Sequence, residues 1–359
     1  MNKIFFYLFL SFVILFNSSK VFSQNSPQND SPKLIRILVL EGGAIHGILS
    51  TRILVEIEKR THKPISELFD VMTGSSTGSI QVALLNAPQK KNTSKPQYSA
   101  KELLDFYIKN GSEILTPSIW RRIWTLDGLL APLLTHQKPI FYLQKYLKDV
   151  RLDQSIKPIM IPSYDLSTAN IFLFESTNVN QKEIMLKDVV LASISMPNIY
   201  PVFEWKSIEK SHYLTDAGFV SNNPIVFSLM YAEQLYPKNP KILISLGTGY
   251  VSSHSHPEKW KSEGLLYAPT NWIKMVFLGN DDKLNALVEE IKKQKGFGLE
   301  YYYRLNPLIP ESASNSFDAS PENINRLVEI ADRYVIEHSQ EIDDIIKILE
   351  SNHKGSLKD

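Results

Sequence analysis

Apolar positions along the chain alternate between short β-branched runs and helical repeats. Residues 35–40 (IRILVL) form such a run and lead into the glycine-rich segment 41–47 (EGGAIHG), after which apolar residues recur at helical spacing. The same order follows at 69–73, 74–78 and 80–85. Two successive strand, loop and helix units predict an α/β domain in which helices flank a parallel sheet.

Further segments extend this pattern towards the C-terminus. Ser320, Pro321 and Glu322 are a typical helix start, with a capping serine before a proline in the first turn. The periodicities predict additional strands at 158–163, 169–175, 211–215 and 241–246, and long helices at 99–110, 224–236, 269–295 and 321–350.

The N-terminal residues are typical of an export signal. Lys3 precedes a 13-residue apolar run, 4–16, which is shorter than the roughly 20 residues that span a bilayer. Small residues up to Ser23 suit a cleavage site, so residues 1–23 are predicted to be a signal peptide, with an uncleaved anchor or a core helix as the alternatives. Polar residues 24–33 are predicted to be a linker before the domain at 34–359. We therefore expect a periplasmic or secreted protein.

Composition narrows the possible chemistry. The chain has 39 Lys and Arg against 38 Asp and Glu, a balance that offers no basic footprint for nucleic acid. It contains no cysteine, which excludes disulfides, thiolate zinc sites and cysteine nucleophiles. The histidines outside one polar loop occur singly, without metal-ligand spacing. We predict neither a metal nor a cofactor.

Residues 74–78 (GSSTG) match the G-x-S-x-G pattern of a nucleophile elbow. In that motif a strand turns sharply into a helix and presents the central serine at the helix N-terminus. The match falls at a predicted strand-to-helix junction, which is the context the motif requires. Ser76 is therefore the predicted nucleophile, and a tight turn of small residues is the alternative.

The glycine-rich loop after the first strand has two functional interpretations. Its glycines do not fit the G-x-G-x-x-G spacing of a dinucleotide site. The second interpretation is an oxyanion hole, in which backbone N–H groups of Gly42, Gly43 and Ala44 face the oxygen that becomes negative during ester attack. A turn that merely requires positive φ is the structural alternative.

Asp216 is the best candidate base because it ends a predicted strand and precedes Ala217 and Gly218. We expect it at the same edge of a parallel sheet as the elbow, although an Asp in this context is often a turn residue. The segment 222–224 (NNP) is interpreted as a helix cap. The mechanistic rival is a triad that uses His254 or His256, which lie in a polar loop where histidines are usually solvated.

The segment around Trp120 and Trp124 is rich in aromatic residues and leucine and carries two arginines. Core packing beside the sheet is the simpler interpretation. The alternative is a lipid-facing lid or acyl-binding wall, in which tryptophans lie at the interface and arginines meet phosphate headgroups.

Five stretches together resemble the patatin-like phospholipases in order and spacing. They are EGGAIHG, GSSTG, ASISMPNIYPVF (192–203), TDAGFVSNNP (215–224) and ISLGTG (244–249). Residues 157–176 and the tail from YYYRLNPLIP onward also resemble the plant patatins. The resemblance implies a three-layer α/β/α fold with a mostly parallel central sheet, and a helical C-terminal part of the same domain.

The resemblance also implies a function and its site residues. Ser76 corresponds to the nucleophile and Asp216 to the base of a Ser-Asp dyad, while residues 42–44 correspond to the oxyanion loop. The implied activity is hydrolysis of acyl esters of phospholipids or other glycerolipids through an acyl-enzyme. The implied partners are that lipid substrate and, transiently, a membrane surface.

The oxyanion loop departs from the family pattern D-G-G-G-x-R-G at three positions. Glu41 replaces the Asp, Ala44 the third Gly and His46 the Arg. Alanine costs about 1 kcal/mol if residue 44 takes positive φ, and His46 is expected to supply positive charge only at mild acidity. These departures motivate a second hypothesis, a lipid-binding or effector-like module of the same fold with weak or no catalysis.

Overall fold

The computed structural model describes residues 32–90, 93–207, 210–252, 282–294 and 296–351. All of these belong to one unit that begins at Pro32. The predicted signal peptide, linker residues 24–31, and both His254 and His256 lie outside the described residues.

Eight strands in the described residues form one mixed sheet with the order β5-β6-β3-β2-β1-β7-β8, and β4 also pairs with β3. The strands are β1 Ile35–Leu40, β2 Val71–Gly74, β3 Ile159–Asp165, β4 Asn170–Glu175, β5 Phe203–Lys206, β6 Ser211–Thr215, β7 Lys241–Leu246 and β8 Leu299–Leu305. The four pairings β1–β2, β1–β7, β2–β3 and β7–β8 are parallel. The other pairings are antiparallel.

Helices follow most strands of the described chain. They are α1 Gly47–Thr61, α2 Ile65–Leu68, α3 Thr77–Asn86, α4 Ala100–Leu115, α5 Ile119–Thr125, α6 Gln137–Leu147, α7 Leu186–Ile194, α8 Gly218–Ser221, α9 Ile225–Leu235, α10 Asp282–Lys293, α11 Pro321–Glu337 and α12 Ser339–Glu350. Short 3₁₀ turns lie at Ala44–His46, Leu152–Gln154 and Glu311–Ala313. No helix in the described ranges is both long and apolar enough to cross a bilayer.

Strand β1 shows why the domain has three layers. Successive side chains of a strand point to opposite faces, and both faces of β1 are buried. Leu38 and Leu40 belong to the larger apolar cluster, which includes residues of α1, α3, α4 and α11. Ile37 and Val39 belong to the opposite cluster, with residues of α9 and α10. The predicted α/β/α sandwich with a mostly parallel sheet is confirmed.

Strands β2 and β6 meet end to end along one edge of β3. Strand β4 pairs with β3 along residues 160–165, and so occupies one edge. Both β2, which pairs near Met160, and β6, which pairs with Tyr164 and Asp165, must then lie on the other edge. Their C-terminal ends therefore face each other across Pro162 and Ser163. The expectation that Asp216 ends a parallel strand is wrong, because β6 runs antiparallel to β3.

Several predicted elements differ in detail from the structure. Strands β5 and β8 were not expected, although β8 (LEYYYRL) has apolar or aromatic residues at every second position and is rich in tyrosine, which favours strands. The predicted helix 321–350 is two helices, separated at His338. Of the predicted helix 269–295, the described part is α10 with Gln294 after it.

Helix α5 does not pack in the core. The side chains of Trp120 and Trp124 are 81% and 73% exposed, and Thr125 is the only buried residue of α5. The core-packing interpretation of these tryptophans is therefore wrong.

Candidate active site

Ser76 lies at the sharp turn between β2 and α3. Its backbone takes φ 50° and ψ −119°, a left-handed conformation that is strained for a residue with a Cβ. The turn is tight because a Cβ on Gly74 would lie 2.2 Å from the carbonyl oxygen of Gly78, and one on Gly78 would lie 2.2 Å from that of Leu40. Both glycines are thus required by close backbone approach, as the elbow interpretation predicts.

Asp216 follows the last residue of β6 and approaches the elbow from the opposite direction. Its backbone N–H donates to the carbonyl oxygen of Ser195 at 3.0 Å, and the Thr215 hydroxyl donates to the same oxygen at 2.5 Å. The backbone N–H of Gly218 donates to Asp216 Oδ1 at 2.7 Å. Oδ1 is fixed in this way, and Oδ2 is left for a second partner.

The structure brings the Ser76 hydroxyl and the Asp216 carboxyl together. Burial raises the pKa of Asp216 to about 6, although the Ser76 hydroxyl and the Gly218 amide each act to lower it. The Ser76 hydroxyl is close enough to the carboxyl to act on its pKa, although Asp216 Oδ2 is without a hydrogen bond among the described residues. Such contacts commonly shorten when substrate binds.

Two serines at the C-terminal end of α7, Ser193 in its last turn and Ser195 just after it, connect the parts of the site. The Ser193 hydroxyl accepts the N–H of Ser76 at 3.1 Å and donates to the carbonyl oxygen of Pro162 at 2.9 Å. Ser195 supplies the carbonyl oxygen that holds Thr215 and Asp216. Sequence reasoning did not assign a role to either serine, although both belong to the stretch 192–203 noted above.

The predicted oxyanion residues differ in the donors that they offer. The Gly42 N–H donates to the carbonyl oxygen of Asn222 at 3.2 Å and so is not available. Within the described residues no acceptor is assigned to the N–H groups of Gly43 and Ala44. The N–H of Thr77, at the first position of α3, is likewise without a described acceptor. The available donors are therefore Gly43, Ala44 and Thr77 rather than residues 42–44.

Side chains behind the loop fix its position. The Thr248 hydroxyl donates to the carbonyl oxygen of Gly42 at 2.6 Å, and a Cβ on Gly43 would lie 2.3 Å from that hydroxyl. The Asn222 side-chain amide also donates to the Gly42 carbonyl, at 3.3 Å. Asn222 therefore contacts the loop and is more than part of a helix cap, whereas Asn223 Oδ1 accepts the N–H of Ile225 near the start of α9, as expected of a cap.

An apolar cavity of about 60 Å³ adjoins Ser76 and Asp216. Its wall combines residues of α3 and α4 with the segment after α7 and with Phe317. The apolar members include Ile80, Phe106, Ile114, Leu115, Met196 and Tyr200. A wall of this composition suits a hydrocarbon chain rather than a polar substrate.

Comparison with known proteins identifies the family. The patatin-like phospholipase family profile matches residues 38–227, which is more than half of the chain and includes the elbow, the glycine-rich loop and Asp216. The chain belongs to the patatin-like phospholipase family. Membership supports a lipid acyl hydrolase as the class of enzyme.

Curated relatives match most of the chain. Patatin-like protein 2 of Oryza sativa subsp. indica is 26% identical, over 92% of this chain and 89% of that protein. Patatin-17 of Solanum cardiophyllum is 26% identical, over 75% of this chain and 73% of its own length. Among solved structures, human GIVD cytosolic phospholipase A2 is 8% identical with a TM-score of 0.41, over 88% of this chain and 60% of that one. A likeness that distant supports no argument about the site.

The structure explains one departure from the patatin-like loop pattern and shows the cost of a second. Glu41 forms an ion pair with Arg304 of β8, whose guanidinium also donates to the Ser245 hydroxyl at 2.9 Å. The longer acidic side chain thus links the loop after β1 to β8, which lies beyond β7 in the sheet. Ala44 takes φ 47°, so the positive φ considered from the sequence is present and the alanine is strained.

The third departure, His46, does not replace the charge of the family's arginine. It is fully buried, and burial lowers its pKa to about 4. Its Nδ1 lies 3.4 Å from the Ser316 hydroxyl. The expectation that His46 supplies positive charge at mild acidity is therefore wrong, since the ring stays neutral until the pH is much lower.

No cluster of histidine and acidic residues suited to a metal occurs among the residues that the structure describes. The triad rival involving His254 or His256 lies outside the described residues. Among the described residues, the carboxyl group beside the Ser76 hydroxyl is that of Asp216.

Proposed function

We propose that this chain is an exported hydrolase that cleaves acyl esters of phospholipids or other glycerolipids, with Ser76 as nucleophile and Asp216 as base. The observation that carries the proposal is the position of the buried Asp216 carboxyl beside the Ser76 hydroxyl. Burial raises the pKa of this carboxyl to about 6. A carboxylate with that pKa is a stronger base than an exposed aspartate and is still ionised at neutral pH. The patatin-like phospholipase family supports the lipid substrate.

Hydrolysis then proceeds in two steps. Asp216 Oδ2 accepts the hydroxyl proton while Ser76 Oγ attacks the ester carbonyl carbon. The carbonyl oxygen becomes negative and accepts hydrogen bonds from the N–H groups of Gly43, Ala44 and Thr77. The intermediate collapses to an acyl-enzyme, and the alcohol leaves with the proton held by Asp216. In the second step Asp216 takes a proton from water as the water oxygen attacks the acyl carbon. When the bond from that carbon to Ser76 Oγ breaks, Asp216 returns the proton to Ser76 Oγ, and the fatty acid leaves.

In this proposal the two oxygens of Asp216 have different roles. Oδ1 is held by the Gly218 N–H, which fixes the plane of the carboxyl group. Oδ2 has no described hydrogen-bond partner and is the oxygen able to receive a proton. A dyad of this kind needs no third residue, because the backbone of the β6 end performs the orienting task that a third side chain performs in a triad.

A lipid-binding module with little catalysis is the second candidate. It is favoured by the strained Ala44 and by the Gly42 N–H that is already used. Both features weaken oxyanion stabilisation, and the loss of one donor typically costs about 10²-fold or more in rate. Neither removes the nucleophile or the base.

A fluorophosphonate probe separates the two candidates. We expect labelling of the wild type and of Ser75→Ala but not of Ser76→Ala. Ser75→Ala is a matched control, because Ser75 is the adjacent buried serine and its hydroxyl has no described partner. If well-folded wild-type protein resists the probe, the binding module is the better description.

Export is tested separately from the chemistry. We expect the protein recovered outside the cytoplasm to begin at Gln24, as read by N-terminal sequencing. Recovery of the full-length chain in the cytoplasm alone would contradict export without affecting the assignment of Ser76 and Asp216.

A further inference from the structure

Residues 119–130 form an exposed apolar surface, called here the tryptophan patch. Its large side chains point into solvent over one helix and the following turn, and are Ile119, Trp120, Ile123, Trp124, Leu126, Leu129 and Leu130. Monomeric proteins rarely expose so many large apolar side chains in one segment unless the surface contacts a partner.

Hydrogen bonds within the segment hold this patch in place. The Ser118 hydroxyl caps α5 by accepting the Arg121 N–H at 3.2 Å. The Arg121 guanidinium donates to the carbonyl oxygen of Pro132 at 2.5 Å, and Arg122 pairs with Asp127 at 2.6 Å. The exposure of the tryptophans is therefore a property of a folded segment.

Both ends of the patch connect to the wall of the candidate active site. Before it, Ile114 and Leu115 at the end of α4 line the cavity. After it, the N–H of Leu133 donates to the carbonyl oxygen of Asn198 at 2.9 Å, in the segment that continues to cavity residue Tyr200. The Tyr200 hydroxyl links the segments before and after the patch, because it donates to the carbonyl oxygen of Ile114 at 3.2 Å. A partner on the patch would thus be next to the cavity.

We propose that the tryptophan patch docks on the surface of a phospholipid bilayer and so places the cavity beside its substrate. This proposal rests on the proposed function, because continuity with a lipid-ester site is what favours a bilayer over a protein partner. The chemistry agrees, since tryptophan combines a large apolar ring with an N–H group and is favoured at membrane interfaces. Helix α5, with seven residues, is long enough to lie in the interface but not to cross it.

The net charge of the tryptophan patch indicates which phospholipid headgroups the bilayer needs. Arg121, Arg122 and Asp127 leave a single excess positive charge on the patch, and Arg122 is paired with Asp127. Electrostatic attraction to anionic headgroups is therefore weak, and burial of apolar side chains supplies most of the affinity. We expect binding to zwitterionic phosphatidylcholine vesicles that changes little with salt.

The test measures vesicle binding in the Ser76→Ala variant, so that hydrolysis does not alter the vesicles. Trp120→Ala and Trp124→Ala are each expected to weaken partitioning into phosphatidylcholine vesicles about tenfold, the loss expected when a largely buried aromatic contact is removed. Ile119→Ala and Ile336→Ala form a matched pair, because both isoleucines are 75% exposed and only Ile119 lies on the patch. The first is expected to weaken binding and the second to leave it unchanged.

Three results would overturn the proposal. The first is that the Trp120→Ala/Trp124→Ala double variant partitions into vesicles as well as the wild type does. The second is that Ile119→Ala and Ile336→Ala have equal effects on binding. The third is that the protein does not bind vesicles and instead forms a concentration-dependent dimer, which the double variant abolishes. Failure of the hydrolase proposal is recognised independently, since vesicle binding is measured without turnover and fluorophosphonate labelling is measured without vesicles. Thermal unfolding of each variant shows whether it is folded, and we expect it to be, because the substituted side chains are exposed.

Discussion

Replacing Asp216 by asparagine should raise stability and strongly lower activity in the same protein. The carboxyl is buried, and its pKa rises from 3.8 to about 6 on folding. Because the folded state favours the protonated form, the stability that this group contributes is full below pH 4 and is lost as the pH rises through about 6. A shift of about two units corresponds to about 3 kcal/mol at pH 8.

Asparagine has nearly the same shape and carries no charge to bury. Its Oδ1 can keep the hydrogen bond from the Gly218 N–H, while its amide cannot accept a proton from Ser76. We therefore expect Asp216→Asn to unfold at higher urea concentration than the wild type at pH 8, by up to about 3 kcal/mol, and to match it near pH 4. Ester hydrolysis should fall about 10²- to 10⁴-fold.

The assay is urea unfolding of both proteins at pH 8 and pH 4, together with hydrolysis of a soluble ester at pH 8. A variant that is less stable than the wild type at pH 8 would refute the reasoning, because it would mean that the ionised carboxylate is well stabilised in the fold. Retained hydrolysis in a folded variant would refute the role of Asp216 as the base.

Three further predictions test other parts of the site. The kcat/KM of the wild type should rise with pH around an apparent pKa of about 6, because Asp216 must be ionised to act as a base, and a flat profile from pH 5 to 8 would contradict this. Ala44→Gly should stabilise the protein by about 1 kcal/mol in urea unfolding by relieving its positive φ, unlike Ala217→Gly, where φ is −78°. Ser193→Ala should cost about 1–3 kcal/mol because it leaves the buried Ser76 N–H without its acceptor, and an unchanged urea midpoint would show that this bond is unimportant.

The features that were predictable from the sequence are local ones. The elbow depends on a strand, two glycines and a serine within a few residues, and the structure has Ser76 at such a turn. The two buried faces of β1 follow from a run that is apolar except for Arg36, which is typical of a strand buried on both sides. Local patterns of this kind determine the backbone directly.

The pairing of Ser76 with Asp216 was expected from the sequence, but the strand register and the other contacts that complete the site were not, because they join distant segments. Asp216 reaches Ser76 only because β6 pairs with the last two residues of β3, a register that no local pattern reveals. The ion pair between Glu41 and Arg304 joins β8 to the first loop, and β8 itself was not predicted. The neutrality of His46 is a consequence of burial, which depends on the packing of the whole domain.

The acyl-enzyme is the most direct test of the central claim. A short reaction of the enzyme with a phospholipid of known acyl chain is stopped with acid, digested and analysed by mass spectrometry. We predict the mass of that acyl group on the peptide containing Ser76, and its absence in Ser76→Ala but not in Ser75→Ala. An acyl group on another residue, or phospholipid hydrolysis that continues in Ser76→Ala, would contradict the account.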